Sequence, residues 1–413
     1  MNKEPDGLPS KDPFFELGCD RKWNALIGKQ GDEENYIDGY IEAAITLASA
    51  VIDNQMMLSR DTLVLPILYT SRHALELALK FSINKLHEMG VVEEHHNLSH
   101  DIYSHWVHLR NCAIGDEAIR NLLAELETYV TSLDRVDKNG QGFRYSEMLP
   151  SDRSLAKLSL ANLYQIRSSL KAMRKILENL RNRVLELADE RKTDSHTREC
   201  SRNDLKNIAN LLGNHSNWCR DCFIQAKQAV MDRYSISSTK FSTAVTKIRN
   251  SRGLSSLVGL EKDLTYLSDE DVIFVVNSWA KLHSAYAPCK NKSVTEHSGR
   301  TQPISNYIEL AMETSLIEQE VIKDLLNRLT LEKVSDLEVL YYIGRDRLYG
   351  EFYDNLLGTK VESYRKENRV VEAVDGLMTK TNFLESLIQG CKAVGRPNLS
   401  FKLIQLHTSE PIT

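Results

Sequence analysis

The stretch LYTSRHALELALK, residues 68–80, sets Arg72, Glu76 and Lys80 at intervals of four, with His73 three residues before Glu76. On a helix, residues so spaced form one column of charge. A guanidinium, an imidazole and a carboxylate held together can bind an anion, move a proton, or fix one helix against another. Leu68, Leu75, Leu79, Ile83 and Leu86 make a neighbouring apolar column, so the Arg72–Glu76 pair is expected at the edge of buried surface. Three readings stay open: an ion-paired register device between helices, a functional polar pocket completed by His100 and Tyr145, or an exposed ladder of charge.

Further residues carry chemistry in their spacing. His196, Cys200, His215, Cys219 and Cys222 are imidazole and thiol donors at short intervals, a set that suits zinc. Only one CxxC is present and its surroundings look helical, so buried thiols and no bound metal are expected. Residues 339–357, VLYYIGRDRLYGEFYDNLL, interleave Tyr341, Tyr342, Tyr349, Phe352 and Tyr353 with Arg345 and Arg347. Such a pattern stacks nucleic-acid bases, or builds a bundle core with a polar seam. Residues 153–183 are locally basic, and Arg167, Lys171, Arg174 and Lys175 bring cations close enough to follow an RNA phosphate backbone, or to make an ordinary solvated face. No P-loop, dinucleotide fingerprint, nucleophile elbow or HExxH occurs, and no cofactor is expected.

The elements that must position these residues are helical. In 413 residues there are only 9 prolines and 19 glycines, and apolar residues recur at three and four. No strand alternation or fixed-period repeat appears. The expected fold class is all-α: an irregular segment at 1–32, a helical bundle at 33–190, a polar linker at 191–202 and a second helical domain at 203–413. Within it we expect helices at 61–90, capped by Asp61 and ended by Gly90, with Pro66 either kinking its first turns or marking its true beginning, then at 98–111 and over GDEAIRNLLAELETYVTSLDR. An ordered loop or small hairpin at 136–152 precedes a long helix at 154–190, whose apolar stripe runs from Leu155, Leu158 and Leu160 to Leu187. A capping box at Ser268 opens a later helix, and 304–329, 336–357 and 382–391 follow as helices.

The hydrophobic fraction is 42%, the charged fraction 26% and the net charge −5, so nucleic-acid contact would need a local basic patch. No apolar run reaches the roughly 18–20 residues of a membrane span. The N-terminus lacks a secretory core, and seven scattered cysteines suit reducing conditions, so a cytoplasmic protein with no membrane partner is expected.

Three pieces in fixed order, LYTSRHALELALK, HHNLSHDIYSHW and NGQGFRYSE, together resemble bacterial helical proteins related to the HEPN superfamily. The resemblance covers roughly residues 33–190. It implies a bundle of helices that forms a homodimer, and metal-independent endoribonuclease activity on RNA in a toxin or anti-phage setting. A protein partner encoded nearby would fit such a setting. Ser146 follows Phe143-Arg-Tyr where the family pattern has proline, and the family's Arg-then-His signature is missing from the three pieces. By that family spacing, Arg191 and His196 are the one pair in the chain with four to six residues between. Arg72, His73, Glu76 and His100 stand in the segments that carry the resemblance. The alternative class is a non-catalytic helical module that dimerises or regulates a partner.

Overall fold

The computed structural model describes residues 14–15, 17, 20–28, 31–94, 96–143, 160–218, 221–292, 304–367 and 369–408, excepting the side chains of 285–292, 304–311 and 407–408. Among them the regular structure is helical, with no strand. The chain divides into two compact units, residues 1–114 with 118–186, and residues 115–117 with 187–413.

The first unit is built from α1 (Glu33–Asp53), α2 (Arg60–Glu88), α3 (Ile102–Asn111), α4 (Glu117–Glu125), α5 (Glu127–Val136) and α6 (Leu163–Arg191). Ile37, Ile41, Ala44, Ala48 and Val51 alternate at four and three along α1 and are buried. That stripe lies against α2, whose Leu75, Leu79 and Leu86 are wholly buried. Each such leucine contributes about 1.5–3 kcal/mol. On α6, Leu170, Met173, Leu177, Leu180 and Val184 make the apolar face, while Arg167 and Arg181 reach Asp53 and Asp38 of α1 at 2.8 and 2.6 Å.

Several boundaries differ from those read in the sequence. α2 starts one residue before Asp61, which sits in the first turn and does not cap it; Gly90 adopts φ +65° just past its end, as expected of a helix stop. Pro66 does not mark the helix's beginning: α2 starts at Arg60, and Pro66 falls past its first turn, where the helix forgoes the N–H bond to Thr62 O. α3 begins at Ile102 because the Asp101 carboxylate accepts Ser104 N–H at 2.8 Å and caps it there. The helix expected over residues 115–135 is broken at Leu126 into α4 and α5. α6 starts at Leu163; Leu160 is not helical and is 92% exposed, while Leu155 and Leu158 lie outside the described residues.

The second unit contains α7 (Arg202–Leu212), α8 (Asp221–Tyr234), α9 (Ser238–Asn250), α10 (Arg252–Ser255), α11 (Asp269–Lys292), α12 (Ile304–Arg328), α13 (Leu331–Arg345), α14 (Tyr353–Glu367), α15 (Val370–Met378), α16 (Phe383–Ala393) and α17 (Pro397–Thr408). Leu205, Ile208, Val230, Phe241 and Ile248 join α7, α8 and α9 in one core. A larger core unites α11 to α17 around Tyr341, Tyr353, Phe383 and Leu387. The expected capping box forms: Ser268 Oγ accepts Asp271 N–H and Asp271 Oδ2 accepts Ser268 N–H, at 3.1 and 3.2 Å. The helix expected at 336–357 is two, α13 and α14, separated by residues 346–352. α13 and α16 approach so closely that a Cβ on Gly344 would stand 1.8 Å from Ser386 O. Of residues 191–202, expected as a linker, Arg191 ends α6 and Arg202 begins α7, and the turn between them buries Thr193, Ser195, Cys200 and Ser201.

Candidate functional site

Arg72 is the centre of the first unit's polar interior. α2 holds it one turn before Glu76, and both residues are 2% exposed. Arg72 Nη1 donates to Glu76 Oε2 at 3.0 Å, Nε to Asp137 O at 2.8 Å, and Nη2 to His100 O at 2.6 Å and Lys138 O at 3.2 Å. Four of the five guanidinium N–H groups are therefore spent inside the protein. The second Glu76 oxygen accepts Lys80 Nζ at 2.8 Å and His100 Nδ1–H at 2.9 Å. The Asp137 carboxylate, 3.9 Å from Arg72 Nε, accepts Gly142 N–H at 2.8 Å.

This arrangement gathers the three sequence pieces around one guanidinium. LYTSRHALELALK supplies Arg72 and Glu76, HHNLSHDIYSHW supplies His100, and Gly140, of NGQGFRYSE, closes over Arg72. Gly140 has φ +72°, and a Cβ there would meet Arg72 Nη1 at 2.9 Å. Glycine is required twice over, for the backbone and for the space. The pair was expected at the edge of buried surface; it is wholly inside, because residues 137–143 fold across it. Burial alone would raise the Glu76 carboxyl, but the hydrogen bonds from Lys80 and His100 outweigh it and hold the pKa below the ordinary value.

His73 does not join this network. It packs edge-on to Tyr40 at 4.4 Å and stacks on Tyr69 at 6.0 Å, and burial lowers its pKa. His100 keeps 63% of its side chain in solvent and is the network's outward-facing member. Tyr145 lies outside the described residues. Asp137 was not singled out in the sequence; its position just before Lys138-Asn-Gly, a turn signature, was the available signal.

Arg191 and His196 belong to the second unit. His196 is half-buried and its Nδ1 has no hydrogen-bond partner. Burial lowers its pKa and Arg191 lowers it further, so the imidazole is neutral at neutral pH. Asp194 between them adopts φ +56°, turning the chain sharply after α6, and its carboxylate pairs with Lys247 at 2.8 Å.

The basic face of α6 is partly neutralised. Arg167 pairs with Asp53 and Arg174 with Glu178, at 2.8 and 2.7 Å, whereas Lys171 and Lys175 are exposed. Cys219, of the thiol and imidazole set, lies outside the described residues; among those described, no group of three His, Cys, Asp or Glu is placed to hold a metal ion. Cys200 is buried as expected, but Cys222 is exposed, because α8 turns that face to solvent. The aromatic segment builds core: Tyr341 and Tyr353 are at most 1% exposed, and their hydroxyls donate to Asn382 Oδ1 at 3.0 Å and Asp336 Oδ1 at 2.5 Å. Among the described residues, no helix is long and apolar enough to cross a membrane.

Fold and site thus define an all-α protein with a buried Arg–Glu–Asp polar core in its first unit. Set against models of protein families, curated proteins and solved structures, the chain gives no match.

Proposed function

We propose that the chain is an RNA-targeting effector of the HEPN-like kind that its N-terminal pieces resemble, cleaving RNA without a metal through Arg191 and His196. The observation that carries this reading is the neutral, half-buried His196, whose pKa feels Arg191; its Nδ1 is closed to solvent and unpartnered, so Nε2 would be the nitrogen that meets RNA. A neutral imidazole can take the proton from a ribose 2′-hydroxyl. The 2′-oxygen then bonds to phosphorus, the bond from phosphorus to the 5′-oxygen breaks, and the leaving oxygen recovers a proton from the imidazolium or water. Arg191 would offset charge on the phosphoryl oxygens. The products are a 2′,3′-cyclic phosphate and a 5′-hydroxyl, and DNA is spared for want of the 2′-hydroxyl. Arg72 and Glu76 fit a positioning role, since their polar atoms face one another and the backbone; Lys171 and Lys175 remain to meet phosphate. A homodimer and a protein partner encoded nearby belong to the same proposal.

The test is RNA cleavage and binding by the full chain in EDTA. Cleavage with cyclic-phosphate ends, lost in His196→Ala and in Arg191→Ala while both variants keep their melting temperature, supports the reading. Cleavage that EDTA abolishes, or neither cleavage nor binding of RNA, overturns it. A second reading, a non-catalytic module that docks a partner, is favoured by Met312 and Leu316, one turn apart on α12 and 64% and 65% exposed. Association of the chain with itself or a partner, lost in Met312→Glu, would select it.

A further inference from the structure

The second unit contains a cleft of about 590 Å³ at the meeting of α7, α10, the turn after α13, and α16. Its walls carry Arg202, Lys206, Arg345, Arg347 and Lys392 against a single carboxylate, Glu385, in a chain whose net charge is −5. Two of the five cations are already matched. Arg202 pairs with Glu351 at 3.0 Å and lies over the Tyr349 ring at 4.4 Å; Arg345 pairs with Asp346 at 2.7 Å. Lys206, Arg347 and Lys392 have no ion-pair partner among the described residues. Each is exposed.

This positive cleft is a product of helix spacing. Arg202 and Lys206 stand one turn apart on α7. Glu385, Gln389 and Lys392 lie at three and four along one face of α16. The floor is set by the close approach of α13 and α16 at Gly344, which brings the turn carrying Arg347 beside the α16 face.

Arg347 reaches the cleft from the turn that ends α13. It has φ +54° at the position just past the end of α13, and Leu348 N–H closes the turn onto Ile343 O at 2.9 Å. Glycine ends helices in this way without strain; an arginine there costs backbone energy. This turn places the exposed Arg347 at the cleft wall.

From the cleft and its cations we infer a binding site for a small organic polyphosphate of nucleotide size. The volume lies in the range of small-molecule sites, roughly 300–1,000 Å³. Unpaired cations on three elements converge on one space, which suits a ligand with two or more phosphates rather than a single carboxylate. Asn382, Ser386 and Gln389 add neutral polar groups for the organic part. The site is independent of Arg191 and His196, and the proposal does not require that the chain cut RNA.

The test uses the full chain and isothermal titration at low ionic strength with four probes: inorganic pyrophosphate, ADP, adenosine, and a short single-stranded RNA. Binding of pyrophosphate or ADP, weakened by salt and absent for adenosine, is expected. Pyrophosphate equal to ADP would mean that the phosphates alone are read; a preference for ADP would mean that the nucleoside is read too. Arg347→Gly with Lys392→Gln should weaken binding about tenfold or more. Because glycine accepts the same backbone, Arg347→Gly should leave the melting temperature unchanged or raised. Lys206→Glu, at an exposed position, gives a second, independent loss. No binding of either phosphate probe, binding of RNA alone, adenosine binding as tight as ADP, or affinity unchanged in both sets of variants would overturn the proposal.

Discussion

Arg72 Nη1 and Glu76 Oε2 meet at 3.0 Å with both side chains closed to solvent, and the same guanidinium holds three backbone carbonyls from elsewhere in the first unit. Removing one partner of such a pair strands a buried charge. Glu76→Ala should cost about 3–5 kcal/mol in denaturant unfolding of the first unit. Replacing both, as Arg72→Met with Glu76→Leu, should not restore stability, because His100 O, Asp137 O and Lys138 O lose their donor. Full recovery in the double variant would show that the carbonyl bonds contribute nothing.

Gly140→Ala and Gly90→Ala separate backbone strain from lost space. Both glycines have positive φ, +72° and +65°, but only at Gly140 would the new methyl meet Arg72. Gly90→Ala should cost about 1 kcal/mol, and Gly140→Ala roughly 2–3 kcal/mol. Faster hydrogen exchange at Gly142 N–H, which Asp137 holds, should accompany Gly140→Ala alone. Equal losses in the two variants would mean that the Arg72 contact carries no strain.

Acid should loosen the protein before any carboxylate titrates fully. Burial lowers the pKa values of His73, His105, His108 and His196, each burial effect being the largest cause. An imidazole whose folded pKa lies below its unfolded value of about 6.5 contributes stability above that value and loses it as pH falls toward the folded pKa. Glu76, also lowered, adds a second loss below about pH 4.3. Asp134 and Asp336, raised by burial, act in the opposite sense. The melting temperature should therefore decline between about pH 7.5 and 6. A rise over that interval would show that the buried carboxyls dominate.

Gly344→Ala tests the contact between α13 and α16. Its Cβ would stand 1.8 Å from Ser386 O and 2.5 Å from Gly390 N, which are backbone atoms that cannot swing aside. The cost should be about 3 kcal/mol or more, with broadened tertiary signals from the second unit. An unchanged unfolding midpoint would mean that the two helices separate freely.

Periodicity alone determined that the chain is helical, since apolar residues at three and four can be buried together only on a helix. The column of Arg72, Glu76 and Lys80 was legible for the same reason: its partners lie within two turns of one helix. Ser268 with Asp271 was legible too, because a capping box closes over three residues. What the sequence left undecided was everything that depends on distant segments. Whether Arg72 is exposed or buried rests on residues 137–143, more than sixty positions away, folding over it. That α13 ends at Arg345 depends on Arg347 accepting a left-handed backbone, a conformation that no pattern of arginines announces. The cleft of Lys206, Arg347 and Lys392 could not be read in advance either. Its cations are scattered over nearly two hundred residues, and only packing at Gly344 and Gly390, where missing side chains let backbones touch, decides that they face one space.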